Sequence, residues 1–242
     1  MTTVVLLRHG RTQANSTGVL AGRSSGVGLD AAGEEQARQA ATRLAGAPLA
    51  AVVSSPLLRC RRTAAAVVAE HDGLDVRTDP GLIECGYGDW TGRTLSELAK
   101  EPLWQTVQNQ PSAVRFPGGE SMVEMAARAV RTIRDTDARI AAEHGDDAVW
   151  VAVSHGDVIK AILADALGVH LDSFQRILVD PASISVVRYT ETRPYVACTN
   201  TVAGDLTGLL TPPPRRSRRG RRGGGSPTAD APVGGGLGAH GR

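Results

Sequence analysis

Val4-Val5-Leu6-Leu7-Arg8-His9-Gly10-Arg11-Thr12 is the stretch on which the fold turns. Four consecutive apolar residues read as a strand buried on both faces. The run stops in Arg-His-Gly instead of fading into polar loop residues. A strand end is where an α/β sheet presents its chemistry. Arg8 carries a planar fork of donors that matches a phosphate or carboxylate. His9 has a ring nitrogen that can attack, take a proton or bind a metal. Gly10 allows a tight turn and a close ligand approach. An ordinary turn after a strand could look the same, so the remaining chain has to decide.

The same design recurs at residues 148–153, Ala-Val-Trp-Val-Ala-Val, the clearest buried strand in the sequence. It ends in Ser154-His155-Gly156-Asp157, and Val158–Leu167 has the pattern of a following helix. Between the two stretches, residues 13–29 read as a loop, and Asp30 is placed to N-cap a helix over 31–45 with Ala37, Ala41 and Leu44 inward. Gly26-Val27-Gly28-Leu29-Asp30-Ala31 resembles a dinucleotide fingerprint but does not directly follow a strand, so it is set aside.

Residues 50–54 read as a second strand. Ser55-Pro56 then predicts a helix start, with Ser as N-cap and Pro first in the helix. Leu57, Cys60, Ala64 and Val67 recur at helical spacing and are expected to face the core. Arg59 falls in or just past the first turn, where free N–H groups and the dipole already favour an anion. Arg61 and Arg62 read as solvated.

Residues 74–90 are irregular. Glu84 lies there among Ile83, Cys85 and Tyr87 and is a candidate proton donor. Burial would raise its pKa and a nearby Arg would lower it. A short helix is expected over 94–99, and Pro117-Gly118-Gly119 is a turn. Ser121 and Glu124 form a capping box opening a long helix to about residue 143. Its buried stripe is expected to be Val123, Ala126, Val130, Ile133 and Ile140, with its Arg and Asp residues on a solvated face. Residues 183–189 and 195–200 read as closing strands. His71, His144, His170 and His240 sit in polar or loop contexts and point to no site.

The body is rich in Ala, Val and Leu, and aromatic residues make up only 3%, so a mostly aliphatic core is expected. No apolar run is long enough for a transmembrane helix, and the chain shows no cationic leader. Cys60, Cys85 and Cys198 are odd in number and lack metal-site spacing, which fits a reducing, cytoplasmic setting. The net charge of +2 hides an asymmetry. Residues 211–242 hold seven Arg against one Asp, or +6, leaving −4 for the body. Their Pro, Arg and Gly composition cannot form a core, so 1–210 is read as the catalytic domain and 211–242 as a disordered basic tail.

Taken together, the motifs resemble the histidine phosphatase, or phosphoglycerate mutase-like, superfamily. They are Arg8-His9-Gly10-Arg11-Thr12 with Asn15, Ser54-Ser55-Pro56-Leu57-Leu58-Arg59, Glu84 before Gly86-Tyr87-Gly88-Asp89-Trp90-Thr91-Gly92, Pro117-Gly118-Gly119-Glu120-Ser121, and Ser154-His155-Gly156. The likeness covers about residues 3–205. It implies a three-layer α/β/α fold with a mostly parallel sheet and the site at the strand ends. It also implies that His9 attacks phosphorus, that Arg8, Arg59 and His155 hold the phosphoryl oxygens, and that Glu84 gives a proton to the leaving oxygen. Arg11, Thr12, Asn15, Gly22 and Gly156 would bind substrate. No metal or other cofactor is needed, because arginines supply the positive charge.

Arg11 stands where many members have Glu, which would make the mouth more basic. Mutases that depend on bisphosphoglycerate carry a longer insertion with extra basic residues after the acid. Here residues 85–116 hold only Arg93, Lys100 and Arg115 as cations. The reading is therefore a phosphomonoesterase for a small phosphorylated metabolite, with a phosphoglycerate mutase as alternative. A metal hydrolase using His9, His155 and Glu84 is disfavoured because Arg8 would repel the cation. A non-catalytic phospholigand-binding protein is disfavoured because every catalytic position is filled. No membrane partner is expected. No specific nucleic acid is expected either, although the six Arg of 215–222 could bind one weakly through its phosphates. The sequence leaves the oligomeric state open.

Overall fold

Val4, Val5, Leu6 and Leu7 are all buried, and they alternate between two separate cores. Side chains alternate along a strand, so burial on both faces requires packing on both sides of the sheet. The computed structural model describes residues 1–203, and the stretch read as a tail, 211–242, lies outside the described residues. Within them the fold is α/β, with a six-stranded sheet in the order β3-β2-β4-β1-β5-β6. The strands are β1 (Thr2–Arg8), β2 (Leu49–Ser54), β3 (Val76–Thr78), β4 (Val149–Ser154), β5 (Ile184–Tyr189) and β6 (Pro194–Thr201). β1, β2, β3 and β4 run parallel, while β5 is antiparallel to both β1 and β6.

Parallel neighbours need crossover connections, and helices supply them. The helices are α1 (Gln13–Thr17), α2 (Ala31–Leu44), α3 (Leu58–Val68), α4 (Leu95–Leu98), α5 (Pro102–Asn109), α6 (Met122–His144) and α7 (Gly156–Ala166). On one face of the sheet, Val5, Leu7, Val52, Val151 and Val153 meet Ala40, Ala41 and Leu44 of α2 and Cys60, Ala64 and Val67 of α3. On the other face, Val4, Leu6, Trp150 and Ala152 meet Met122, Met125, Ala129 and Ile133 of α6 and Val158, Ile159 and Ile162 of α7. The result is three layers. Each buried branched aliphatic contributes about 1.5–3 kcal/mol, which outweighs the backbone ordering cost of about 1–2 kcal/mol per residue along β1.

Several local expectations change in the structure. Helix α3 starts at Leu58 and not at Pro56, and its N-cap, Leu57, makes no side-chain cap bond. The Ser55 hydroxyl is used elsewhere, on His155. In α6 the capping box is present, but the buried stripe is Met122, Met125, Ala129, Ile133, Thr136, Asp137 and Ile140. Val123 is exposed. Asp137 of that helix is not on a solvated face. It accepts from Trp150 Nε1 at 2.9 Å and from Thr2 Oγ1 at 2.6 Å, pinning α6 to β4 and β1. The loop read over 13–29 begins with α1, a single turn with Thr12 as N-cap.

Aromatic residues are few but concentrated. Tyr87, Trp90, Trp104 and Phe116 pack with one another, with ring centroids 5.1–6.2 Å apart. They form an aromatic bed next to the loop that carries Glu84. Among the described residues, no helix is long and apolar enough to cross a membrane.

Candidate active site

The C-terminal ends of β1, β2 and β4 converge, because β1 and β2 both pair with β4 in parallel register. Arg8 is the last residue of β1, His9 follows it, and His155 bridges β4 and α7. Arg59 is the second residue of α3, and Glu84 lies in the loop beyond β3. The structure brings all five together, each at most 3% exposed.

The His9 ring is oriented from both sides. Its Nδ1 lies 2.7 Å from the Gly10 carbonyl, a contact only a protonated Nδ1 can make as a hydrogen bond. Nε2 therefore carries the lone pair, and it accepts from Arg59 Nε at 3.2 Å. Burial, then Arg59 and Arg8, hold the His9 pKa well below the ordinary value, so the ring is neutral at physiological pH. His155 is kept neutral in the same way, by burial and by Arg59. Its Nδ1 lies 3.2 Å from Arg59 Nη2, and its Nε2 lies 2.7 Å from Ser55 Oγ. With Nδ1 accepting from Arg59, the ring proton sits on Nε2 and donates to Ser55. The two imidazoles stand edge to face, 5.3 Å between centroids.

Arg59 also donates from Nη2 to the Gly22 carbonyl at 2.8 Å. Its Nη1 is buried and has no hydrogen-bond partner among the described residues. A buried, unsatisfied guanidinium donor is costly unless an anion completes it. Arg8 is fully buried and donates from Nη1 to the Val179 carbonyl at 2.7 Å. The site therefore gathers two guanidinium charges around two neutral imidazoles, which suits a phosphoryl group and its spreading charge.

Glu84 lies opposite. Its Oε1 accepts from the Cys85 N–H at 3.0 Å, and Oε2 lies 3.7 Å from His155 Nδ1. Burial and the nearby Asp157 push its pKa up to about 7, against the lowering pull of Arg59, the Cys85 N–H and Arg8. The carboxyl is thus poised to give or take a proton near neutrality. Cys60, whose Sγ lies 3.4 Å from His155 Nε2, is pushed up to about 12 by burial and stays a thiol. It is no competing nucleophile.

The other expected positions are placed differently. Arg11 is ion-paired to Asp30 at 2.9 Å, so the extra basic charge expected at the mouth is largely neutralised. The Asn15 side chain accepts from the Thr12 N–H and Oγ1, closing the cap of α1, with the Thr12 hydroxyl buried beneath it. Gly22 adopts a positive φ of 49° and offers its carbonyl to Arg59. Gly156 opens α7, whose first N–H groups stand beside His155.

Sequence reading missed the supports of the Glu84 loop. Arg23 donates to the Glu84 carbonyl at 2.8 Å, and Arg128 of α6 donates to the carbonyls of Gly81 and Ile83 at 2.6 and 3.0 Å. Glu120 joins the two arginines and also accepts from the Gly86 N–H. Arg128 looked like one more solvated helix charge, and nothing local in the sequence marks it otherwise. Ser55 is visible within its motif, where its local pattern with Pro56 suggests a helix cap.

A sequence model described as the histidine phosphatase superfamily (branch 1) matches residues 4–202. A protein of Enterobacter sp. named "Probable phosphoglycerate mutase GpmB" is 32% identical over 216 residues, covering 88% of this chain and 97% of that one. The solved alpha-ribazole phosphatase of Shigella flexneri is similar with a TM-score of 0.72 and 27% identity, covering 82% of this chain and 96% of its own. The mycobacterial glucosyl-3-phosphoglycerate phosphatase has a TM-score of 0.72 and 28% identity, covering 82% and 98%.

Proposed function

The chain belongs to the histidine phosphatase superfamily, and from that membership and the site geometry we propose that it is a phosphomonoesterase working through a phosphohistidine on His9. The observation that carries the reading is the neutral His9 ring, with Nε2 facing Arg59 and the buried, unpartnered Arg59 Nη1 close by. In the first step the Nε2 lone pair forms a bond to phosphorus and the ester P–O bond breaks. Protonated Glu84 gives its proton to the departing oxygen. Arg8 and Arg59 hold the phosphoryl oxygens as charge spreads over them, and His155 joins them by carrying its proton on Nδ1 once substrate is bound. In the second step the Glu84 carboxylate takes a proton from water as that water attacks the phosphohistidine. Phosphate leaves, and Glu84 is protonated again. Gly156 and its neighbours at the α7 terminus add N–H donors.

The substrate class is a small phosphorylated metabolite. The mutase reading is favoured by the GpmB relative. Against it, two of the three cations between Glu84 and the Pro-Gly-Gly turn are engaged in ion pairs. Arg93 pairs with Glu101 at 2.6 Å, Arg115 pairs with Glu124 at 2.5 Å, and Lys100 is exposed. Product analysis separates the two. We expect inorganic phosphate from a panel of monoesters and no exchange between 2- and 3-phosphoglycerate. Efficient isomerisation with little phosphate release would make the protein a mutase.

A further inference from the structure

Asp157 and Lys160 are buried charged residues in the first turns of α7, 0% and 1% exposed, and the chemistry above uses neither. Such groups persist in a core only when their surroundings hold them. Asp157 Oδ2 accepts from the Tyr87 hydroxyl at 2.7 Å, and Oδ1 lies 3.8 Å from Lys160 Nζ. Lys160 is fixed in turn by Gln175 Oε1 at 3.0 Å and lies 5.5 Å from the centre of the Phe174 ring. Tyr87 is three residues beyond Glu84 and packs edge to face on Phe116. Asp157 is two residues beyond His155. One hydrogen bond therefore joins the proton donor's loop to the helix of the second histidine.

We propose that Asp157 is a positioning residue for the proton donor: held between Tyr87 and Lys160, it ties the Glu84 loop to the His155 helix and brings its negative charge to bear on the Glu84 carboxyl. This rests on the assignment of Glu84 as the acid. The charged groups acting on Glu84 come from several elements: Asp157 and Lys160 from α7, Arg59 from α3 and Arg8 from β1, with His155 3.7 Å away. Asp157 is the anion among them, and it keeps a proton on Glu84 where the arginines would strip it. Tyr87, itself held neutral by burial and by Asp157, partly satisfies the Asp157 charge.

The test is the pH dependence of kcat/KM on an alkyl phosphate, which reports the proton donor of the free enzyme. In the native protein the alkaline limb should fall near the Glu84 pKa of about 7. Asp157→Asn removes the negative charge at nearly constant volume, so the limb should move to lower pH by about one unit. Tyr87→Phe keeps every charge but strips a hydrogen bond from the Asp157 carboxylate, so the limb should move the other way by a fraction of a unit. A merely structural role would lower the profile without displacing its limb. A limb that stays in place, or moves oppositely to these signs, overturns the proposal. Should Asp157→Asn fail to fold, Tyr87→Phe decides alone by the same criterion. Glu84→Gln separates the two levels of argument: if it retains the limb, the acid assignment itself is wrong. If it loses the limb while Tyr87→Phe and Asp157→Asn leave it unmoved, only the role of Asp157 is wrong.

Discussion

His9 keeps a neutral ring because the effects that disfavour its cation outweigh the Gly10 carbonyl, which favours it. Burial disfavours its cation, two guanidinium groups repel the added proton, and the Gly10 carbonyl fixes which nitrogen carries hydrogen. Glu84 is set by opposed effects, and their balance decides its role. Burial and Asp157 raise its pKa, Arg59 and Arg8 lower it, and the rise wins. It can therefore act as an acid in one half-reaction and as a base in the next. Glu84→Gln should slow alkyl phosphates by about 10²–10⁴-fold, the usual worth of a general acid. p-Nitrophenyl phosphate, whose leaving group departs without a proton, should lose far less in the same variant. Steady-state turnover on the two esters tests this, and equal losses would make Glu84 structural only. His9 could be read from a strand end in the sequence, and Glu84 from its partly apolar setting in an irregular stretch. The direction of the Glu84 shift could not, because it depends on burial and on an aspartate seventy-three residues away.

The elements place these side chains through close backbone contacts. Gly10 was read as a turn residue that admits a ligand. The structure gives it another reason: a Cβ there would collide with the Gly33 carbonyl, and a Cβ on Gly33 would overlap the carbonyl of Arg11. Helix α2 thus presses its first turn against the segment that carries His9. Gly33→Ala should cost about 1–3 kcal/mol through overpacking. It should also lower turnover, since the His9 backbone must shift to relieve it. Thermal unfolding together with kcat would show this, and an unchanged melting temperature would mean that the contact yields freely. Strand positions and caps were legible because they rest on local chemistry: Asp30 bonds to the Gly33 N–H, and Ser121 and Glu124 close their box. The α3 start was not, because Ser55 and Pro56 form a good local cap while tertiary pairing takes the Ser55 hydroxyl for His155. The α6 stripe was displaced for a similar reason. Asp137 is drawn inward by Trp150 and Thr2, partners that lie far away or on another layer.

At the scale of the whole molecule, the parallel strands β1, β2 and β4 act as a common floor. They deliver Arg8, His9, Arg59 and His155 from segments up to 147 positions apart in the chain to one end of the sheet. Two cores on opposite faces hold that floor rigid, so these four positions are set by packing, while Glu84 sits on a loop held by Arg23 and Arg128. Arg8, His9 and His155 were visible in the repeated strand-to-His-Gly pattern, Arg59 at a helix start and Glu84 in an irregular loop, while the layered fold and the shared site at the strand ends followed from the family resemblance. The Arg23–Glu120–Arg128 clamp was not, since its members come from a loop, a turn and a helix face with no shared local signal. The central claim is a covalent intermediate on one nitrogen of one residue. The most direct measurement is to quench the protein with alkali during turnover of a slow monoester and locate the phosphoryl group by peptide mass spectrometry. The account predicts an acid-labile, alkali-stable phosphoryl group on His9 that forms and decays at rates compatible with turnover and is absent in His9→Ala. Full turnover by His9→Ala, or a phosphoryl group on another residue, would contradict it.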